Sequence, residues 1–258
     1  YMNNVINDST IPDEADIAIE YQIPLTSKRI DFLISGIDDD DKENVVIIEL
    51  KQWDIATISN KSAVVRTRFQ HGEHEVAHPS YQAWSYAETI YNFNQTVQDN
   101  DIILSPCAYL HNFAEETKGK EVIKNVFYKE YIDKAPAFLK NETLLLKNFV
   151  EKRIKKASDE NILEKIEYGK LRPAKQLADS LCSMLKGNKE FVLLDSQLVV
   201  YQTTLYLADL INNNPNKKQV LIVEGGPGTG KSVLAINLLV DLINKGFVAK
   251  YVSKNSAP

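Results

Sequence analysis

Two sets of residues in this chain have the types and spacing to do chemistry. The first is Gly225-Gly226-Pro227-Gly228-Thr229-Gly230-Lys231-Ser232, placed between the apolar run 219–224 and the helix-forming run 233–240. Glycines let successive backbone N–H groups turn inward around phosphates, Lys231 reaches the terminal phosphates, and the Ser232 hydroxyl can take a magnesium position. A mere tight turn has no use for Lys-Ser at a helix start, so the segment reads as a strand, a phosphate loop and a helix that bind a nucleoside triphosphate, or descend from ones that did. The second set is Asp31 in the run 29–35 and Glu49 and Lys51 in the run 44–51. In a strand of period two, Glu49 and Lys51 share one face while Leu50 takes the other. Charged groups on a buried face cost free energy unless a metal or partners compensate. Two carboxylates on a divalent cation, with an ammonium beside the attacking water, would compensate and would cleave a phosphodiester. The plainer reading is a surface ion-pair array across a hairpin.

The elements that must position these groups are legible as runs. Residues 16–23, 29–35 and 44–51 read as neighbouring strands of one sheet, with the acidic link 36–44 as a solvated turn rather than a calcium site. Residues 79–94 read as a helix with Ser80 near its start and Ala83, Trp84, Ala87 and Ile90 as its apolar stripe, followed by a strand over 102–110. From about 141 to 189 the chain turns lysine-rich and helix-forming. Lys152, Arg153, Lys155, Lys156, Lys165, Lys170, Arg172 and Lys175 there fit either a phosphate track or a solvated helix face. A third section starts at Phe191, with a helix over 197–210 ahead of the phosphate loop and a last strand over 247–252.

Composition sets outer bounds. With 258 residues, 44% hydrophobic and 25% charged, the chain has the make-up of an ordinary globular protein of one large or two modest domains. Cys107 and Cys182 form neither a disulfide framework nor a zinc or iron–sulfur set, read as core residues, and make the cytoplasm the expected compartment. A net charge of −5 leaves nucleic-acid binding to local basic patches.

With the order Asp31, then Glu49-Leu50-Lys51 on the next strand, the first section resembles the PD-(D/E)xK nuclease superfamily. Gln82-Ala83-Trp84-Ser85-Tyr86 on the following helix is similar to the Q-x-x-x-Y pattern of its RecB-like branch. The resemblance implies a restriction-endonuclease-like fold, with Asp31 and Glu49 as ligands of Mg2+ or Mn2+, Lys51 orienting or activating water, and Gln82 and Tyr86 supporting the site. The family's glutamate on a helix before the first strand has no clear counterpart, and Glu20, in a strand-like run, is a poor substitute. Cysteines for an iron–sulfur cluster are absent. The section from Phe191 resembles the start of a superfamily one helicase-like ATPase of the Schlafen-related bacterial type. That likeness implies a RecA-like fold with ATP as its nucleotide, Gln197 as an adenine contact and Ser232 as a magnesium ligand, although a surface glutamine at a helix start would look the same.

A rival pattern, His74-Glu75-Val76-Ala77-His78, spells the H-E-x-x-H of zinc peptidases. That chemistry needs both histidines on one face of a continuous helix. Gly72 before it and Pro79 directly after it argue against one, so His78-Pro79-Ser80 reads as the lead into the Gln82 helix and His71 and His74 as loop residues.

The sequence thus predicts an α/β chain of three parts: a PD-(D/E)xK nuclease-like domain over 1–125, a helical connector over 126–190, and the beginning of a P-loop ATPase over 191–258. It reads as an internal fragment, starting at Tyr1 and carrying too little after the phosphate loop for ATP hydrolysis on its own. The expected function is a metal-dependent DNA nuclease coupled to an ATP-dependent helicase or translocase in DNA processing or defence, with RNA left open as a substrate. The alternative is a nucleotide-gated DNA-binding module whose nuclease-like domain is inactive.

Overall fold

The computed structural model describes residues 2–6, 10–24, 26–114, 121–171, 192–213 and 218–252. In chain order its elements are α1 (Asn3–Ile6), β1 (Asp16–Gln22), β2 (Arg29–Ile37), β3 (Glu43–Lys51), β4 (Ala56–Ile58), β5 (Val64–Phe69), β6 (Gly72–Ala77), α2 (Pro79–Phe93), α3 (Gln95–Asp99), β7 (Ile103–Leu110), α4 (Lys129–Lys134), β8 (Ala137–Leu139), α5 (Thr143–Glu151), α6 (Ile162–Glu167), α7 (Ser196–Asn213) and α8 (Lys231–Asn244). The class is mixed α/β. A five-stranded sheet runs β1-β2-β3-β7-β8, with antiparallel pairs from β1 to β3 and parallel pairs from β3 through β7 to β8.

The central strands are rich in β-branched residues and buried on both faces, as a sheet covered by two helical layers requires. Alternation sorts the β3 side chains. Val45 and Ile47 pack with Tyr86, Ala87 and Ile90 of α2 and Ile162, Leu163 and Ile166 of α6. Val46, Ile48 and Leu50 pack on the other face with Val5 of α1 and Leu146 and Val150 of α5. The odd-numbered positions of β3 therefore look toward α2, and Glu49 and Lys51 continue that series.

The stretch expected as a helical connector supplies, in its described part, a sheet strand and helices that cover the sheet. β8 pairs with β7, Leu146, Val150 and Ile154 are fully or almost fully buried, and α6 seals the opposite face. Three of the lysines read as a phosphate track or solvated face serve ion pairs within the chain: Lys155 with Asp39, Lys156 with Asp41, and Lys165 with Glu43 and Glu160. The Arg153 guanidinium lies 3.5 Å from the centre of the Phe149 ring. These contacts, with Asp38 accepting from the Asp40 and Lys42 amides, also occupy the acidic 36–44 turn. Arg172, Lys175 and Cys182 lie outside the described residues, while Cys107 is buried in the core.

A second, three-stranded antiparallel sheet, β4-β5-β6, is inserted between β3 and α2. Its Ala63, Val64 and Ala77 pack with Tyr81 of α2 and with Leu193, Leu198 and Leu234, which ties α7 and α8 to the rest. The expected strands over 219–224 and 247–252 do not form among the described residues. A strand is held by a hydrogen-bonded neighbour; neither run has one, and Val220, Ile222, Val248 and Val252 are exposed. The helix after the loop does form, as α8.

Candidate active site

Register brings the acidic residues together. Leu33 of β2 lies opposite Ile47 of β3, and one step of two along each strand leads to Asp31 and Glu49 on the face toward α2. Asp31 Oδ2 accepts from the Leu50 amide at 2.7 Å, which fixes its carboxylate against β3. Glu49 is 3% exposed. Its Oε1 accepts from Lys51 Nζ at 2.7 Å and from Gln82 Nε2 at 2.8 Å. Gln82 reaches it because α2 starts sharply: His78 caps the helix, its side chain accepting from the Ser80 amide, and Pro79 occupies the first turn.

The second hydrogen of Gln82 Nε2 goes to the Tyr86 hydroxyl at 2.8 Å, one helical turn on. Tyr86, 2% exposed, in turn donates to Asp195 Oδ2 at 3.0 Å, and Lys28 Nζ pairs with the same oxygen at 2.7 Å. Of the five residues read from the sequence as a nuclease site, Lys51, Glu49, Gln82 and Tyr86 form one hydrogen-bonded chain that Asp195 and Lys28 join, and Asp31 lies beside it, bonded to the Leu50 amide. Asp195 lies just before α7, where an aspartate reads as a helix cap; no local pattern marks it as a partner of Tyr86. Lys51, Gln82 and Asp195 open onto a cleft of about 910 Å³ whose walls also carry Trp53, Arg68 and Phe69.

Burial dominates the electrostatics. It pushes the Glu49 carboxyl from 4.5 up to about 7, opposed by the neighbouring Lys51 ammonium and reinforced by the Asp31 and Asp195 charges. Asp31 is also raised, by burial first, while the Leu50 amide and Lys51 pull it down. Glu49 Oε2 and Asp195 Oδ1 are buried and accept no hydrogen bond among the described residues. A buried carboxylate oxygen without a donor is costly unless a cation faces it; of the two residues read as metal ligands, Glu49 presents such an oxygen in Oε2, while Asp31 accepts from the Leu50 amide through Oδ2. Among the described residues no three His, Cys, Asp or Glu side chains group as metal ligands. Magnesium needs only one or two carboxylates, its other positions being filled by water and phosphate oxygens.

The H-E-x-x-H segment is no peptidase site. His74 and Glu75 lie on β6, with His74 exposed and Glu75 engaged by Lys61, Ser59 and Arg66. His78 is fully buried, with Nε2 at 2.9 Å from the Ile123 carbonyl. His74, expected in a loop, is thus a strand residue, its ring 5.7 Å from that of Phe69.

The glycine-rich loop 225–232 has the kind of backbone expected of it at two positions. Gly228 and Gly230 take φ of 73° and 78°, left-handed values that turn N–H groups toward one side. Gly225, Gly226, Pro227 and Thr229 are exposed, as is Ser232 in the first turn of α8. Lys231 Nζ donates to the Gly225 and Gly226 carbonyls at 2.7 and 2.6 Å, so the ammonium already points into the loop. Gln197 uses both ends of its amide: Oε1 accepts from the Leu194 amide at 3.0 Å and Nε2 donates to the Thr229 carbonyl at 2.9 Å. It touches the phosphate loop directly. An adenine contact would require exchange of one of these bonds.

Among the described residues no helix is long and apolar enough to cross a membrane. No curated protein and no solved structure matches the chain. Residues 218–258 match the family model described as Schlafen group 3, DNA/RNA helicase domain. This segment is therefore similar to a Schlafen-type helicase domain, which supports a nucleotide-related, helicase-type function for it.

Proposed function

We propose that the chain joins a metal-dependent nuclease of the PD-(D/E)xK, RecB-like kind to an ATP-binding helicase segment of RecA-like type. The observation that carries the reading is the pairing of Asp31 and Glu49 across β2 and β3, with Lys51 and Gln82 both bonded to Glu49. Magnesium or manganese held by Asp31 and Glu49 would supply the charge that stabilises the phosphorane and lowers the pKa of water. Gln82 holds the Glu49 carboxylate in one rotamer, so Oε2, which has no donor among the described residues, keeps a fixed direction. Lys51 favours the ionised form of Glu49 and presents its ammonium at the cleft, where a scissile phosphate and the attacking water would lie. DNA is the proposed substrate. ATP on the loop 225–232, with Lys231 at the terminal phosphates and Ser232 on its magnesium, serves the motor.

The test is cleavage of linear and circular DNA and of RNA, in magnesium or manganese without ATP, by the chain and by Lys51→Ala and Glu49→Ala. Metal-dependent cleavage lost in both variants is expected, with circular dichroism of the variants unchanged. Equal cleavage by Lys51→Ala would remove that residue from the mechanism.

A further inference from the structure

The turn before α7 touches both sites. Asp195 Oδ2 accepts from Tyr86 and pairs with Lys28; two residues later, Gln197 donates to the Thr229 carbonyl of the phosphate loop. From Glu49 the bonds run unbroken through Gln82, Tyr86 and Asp195 to the backbone turn that Gln197 braces through the Leu194 amide. Asp195 is held at φ 41°, outside the regions favoured by a non-glycine residue, so the turn relies on these contacts to keep its shape. Its second oxygen is buried without a donor among the described residues, and its charge acts on Glu49.

We propose that Asp195 is a positioning residue of the Glu49 site, locking Tyr86 and through it Gln82, and that the turn 194–197 makes the order of that site depend on occupancy of the phosphate loop. This rests on the nuclease reading above. The Tyr86 hydroxyl has one hydrogen to give, and Asp195 takes it, so the lone pairs of the phenol must face the Gln82 amide. Without Asp195 the hydroxyl can turn its hydrogen toward Gln82, which releases Gln82 from Tyr86 and loosens its hold on Glu49 Oε1. Phosphate entering the loop draws Lys231 off the Gly225 and Gly226 carbonyls, and the shift of 225–229 reaches Gln197 through Thr229. A ligand that favours one arrangement of the turn changes cation affinity at Glu49, and the cation changes nucleotide affinity by the same factor.

Two measurements on the full chain test this. The first is manganese affinity by electron paramagnetic resonance without nucleotide, for wild type, Glu49→Gln, Asp195→Ala and Asp195→Asn. Partners behind metal ligands are worth roughly 10- to 100-fold in affinity. The expectation is loss of a site in Glu49→Gln, about tenfold weaker binding in Asp195→Ala, and recovery to about threefold of wild type in Asp195→Asn, which still accepts the Tyr86 hydrogen bond, within that same scale. Asp195→Ala binding like wild type while Glu49→Gln does not would overturn the inference and leave the nuclease reading standing; no Glu49-dependent manganese site would overturn both. The second is amide hydrogen exchange over 79–93 in magnesium ATP against magnesium alone. A difference in wild type that vanishes in Lys231→Ala and in Asp195→Ala is expected. No difference in wild type, or one that survives Asp195→Ala, would overturn the coupling.

Discussion

Replacing Glu49 with glutamine should stabilise the metal-free fold at pH 8 relative to pH 5. In the folded protein the carboxyl is pushed from 4.5 to about 7 because ionising it there forfeits hydration that Lys51 and Gln82 only partly replace. A folded-state value above the unfolded one means that the native state holds its proton longer, so stability falls as pH rises from about 4.5 to about 7. With 1.36 kcal/mol per pKa unit, wild type should lose no more than about 2 to 3 kcal/mol from this group between pH 5 and 8. Glutamine keeps the acceptor for Lys51 and Gln82 but cannot ionise, so its curve lacks that loss. His78 works in the opposite sense: burial lowers it from 6.5 to about 4, and its contribution disappears as pH drops through that range. It is the same in both proteins and cancels in the comparison. The assay is urea unfolding of both proteins in EDTA at pH 5 and 8. Wild type should gain on adding magnesium at pH 8, by about 2.7 kcal/mol at a hundredfold excess over Kd, and the variant should not. Identical pH dependence in the two proteins would refute the claim that Glu49 is a desolvated carboxylate awaiting a cation.

Three further outcomes follow from the packing. Leu146→Ala, truncating a fully buried side chain of α5 against the sheet, should cost about 2 to 5 kcal/mol in urea unfolding; a loss under about 0.5 kcal/mol would mean that α5 is a solvated connector after all. Tyr128→Phe removes a buried hydroxyl that donates to the Val64 carbonyl at 2.7 Å and accepts from the Ser59 amide at 3.2 Å. It should cost about 1 to 3 kcal/mol, and an unchanged denaturation midpoint would show that the small sheet does not depend on it. Gly230→Ala puts a side chain at φ 78° and into the Gln197 amide. At about 1 to 2 kcal/mol of backbone strain it should weaken binding of a fluorescent ATP analogue about tenfold or more, and wild-type affinity in that variant would contradict the close approach of Gln197.

Much of the fold was written locally. The strands β1, β2, β3 and β7 and the helix α2 were legible because each is a run of one period, bounded by turn residues or by Pro79. So was the sharing of one face by Glu49 and Lys51, which follows from the period of a strand alone. The small sheet over 56–77 was not read, because β4 has three residues, β5 passes from buried to exposed along its length and β6 is buried only at its end, leaving weak alternation. The stretch 126–171 looked like a separate connector because its exposed lysines dominate the composition, while the apolar residues that face the sheet are few and spread over short helices. The runs 219–224 and 247–252 carry strand sequence without strand structure, since pairing is a property of neighbours that no single run encodes.

The sequence by itself determined which groups could do chemistry: a phosphate loop whose glycines and Lys231 serve little else, and a carboxylate pair with a lysine on adjacent strands. These are short-range facts, set by residue type and by periods of two and 3.6. Only the tertiary structure decided that Glu49 is sealed from water between β3 and α2, with one oxygen held by Lys51 and Gln82 and the other without a donor among the described residues. It alone brought Asp195, more than a hundred residues from Tyr86, onto the same hydrogen-bonded chain. Burial and long-range pairing arise from the packing of distant segments, and the pKa of a carboxylate follows its surroundings rather than its place in the sequence.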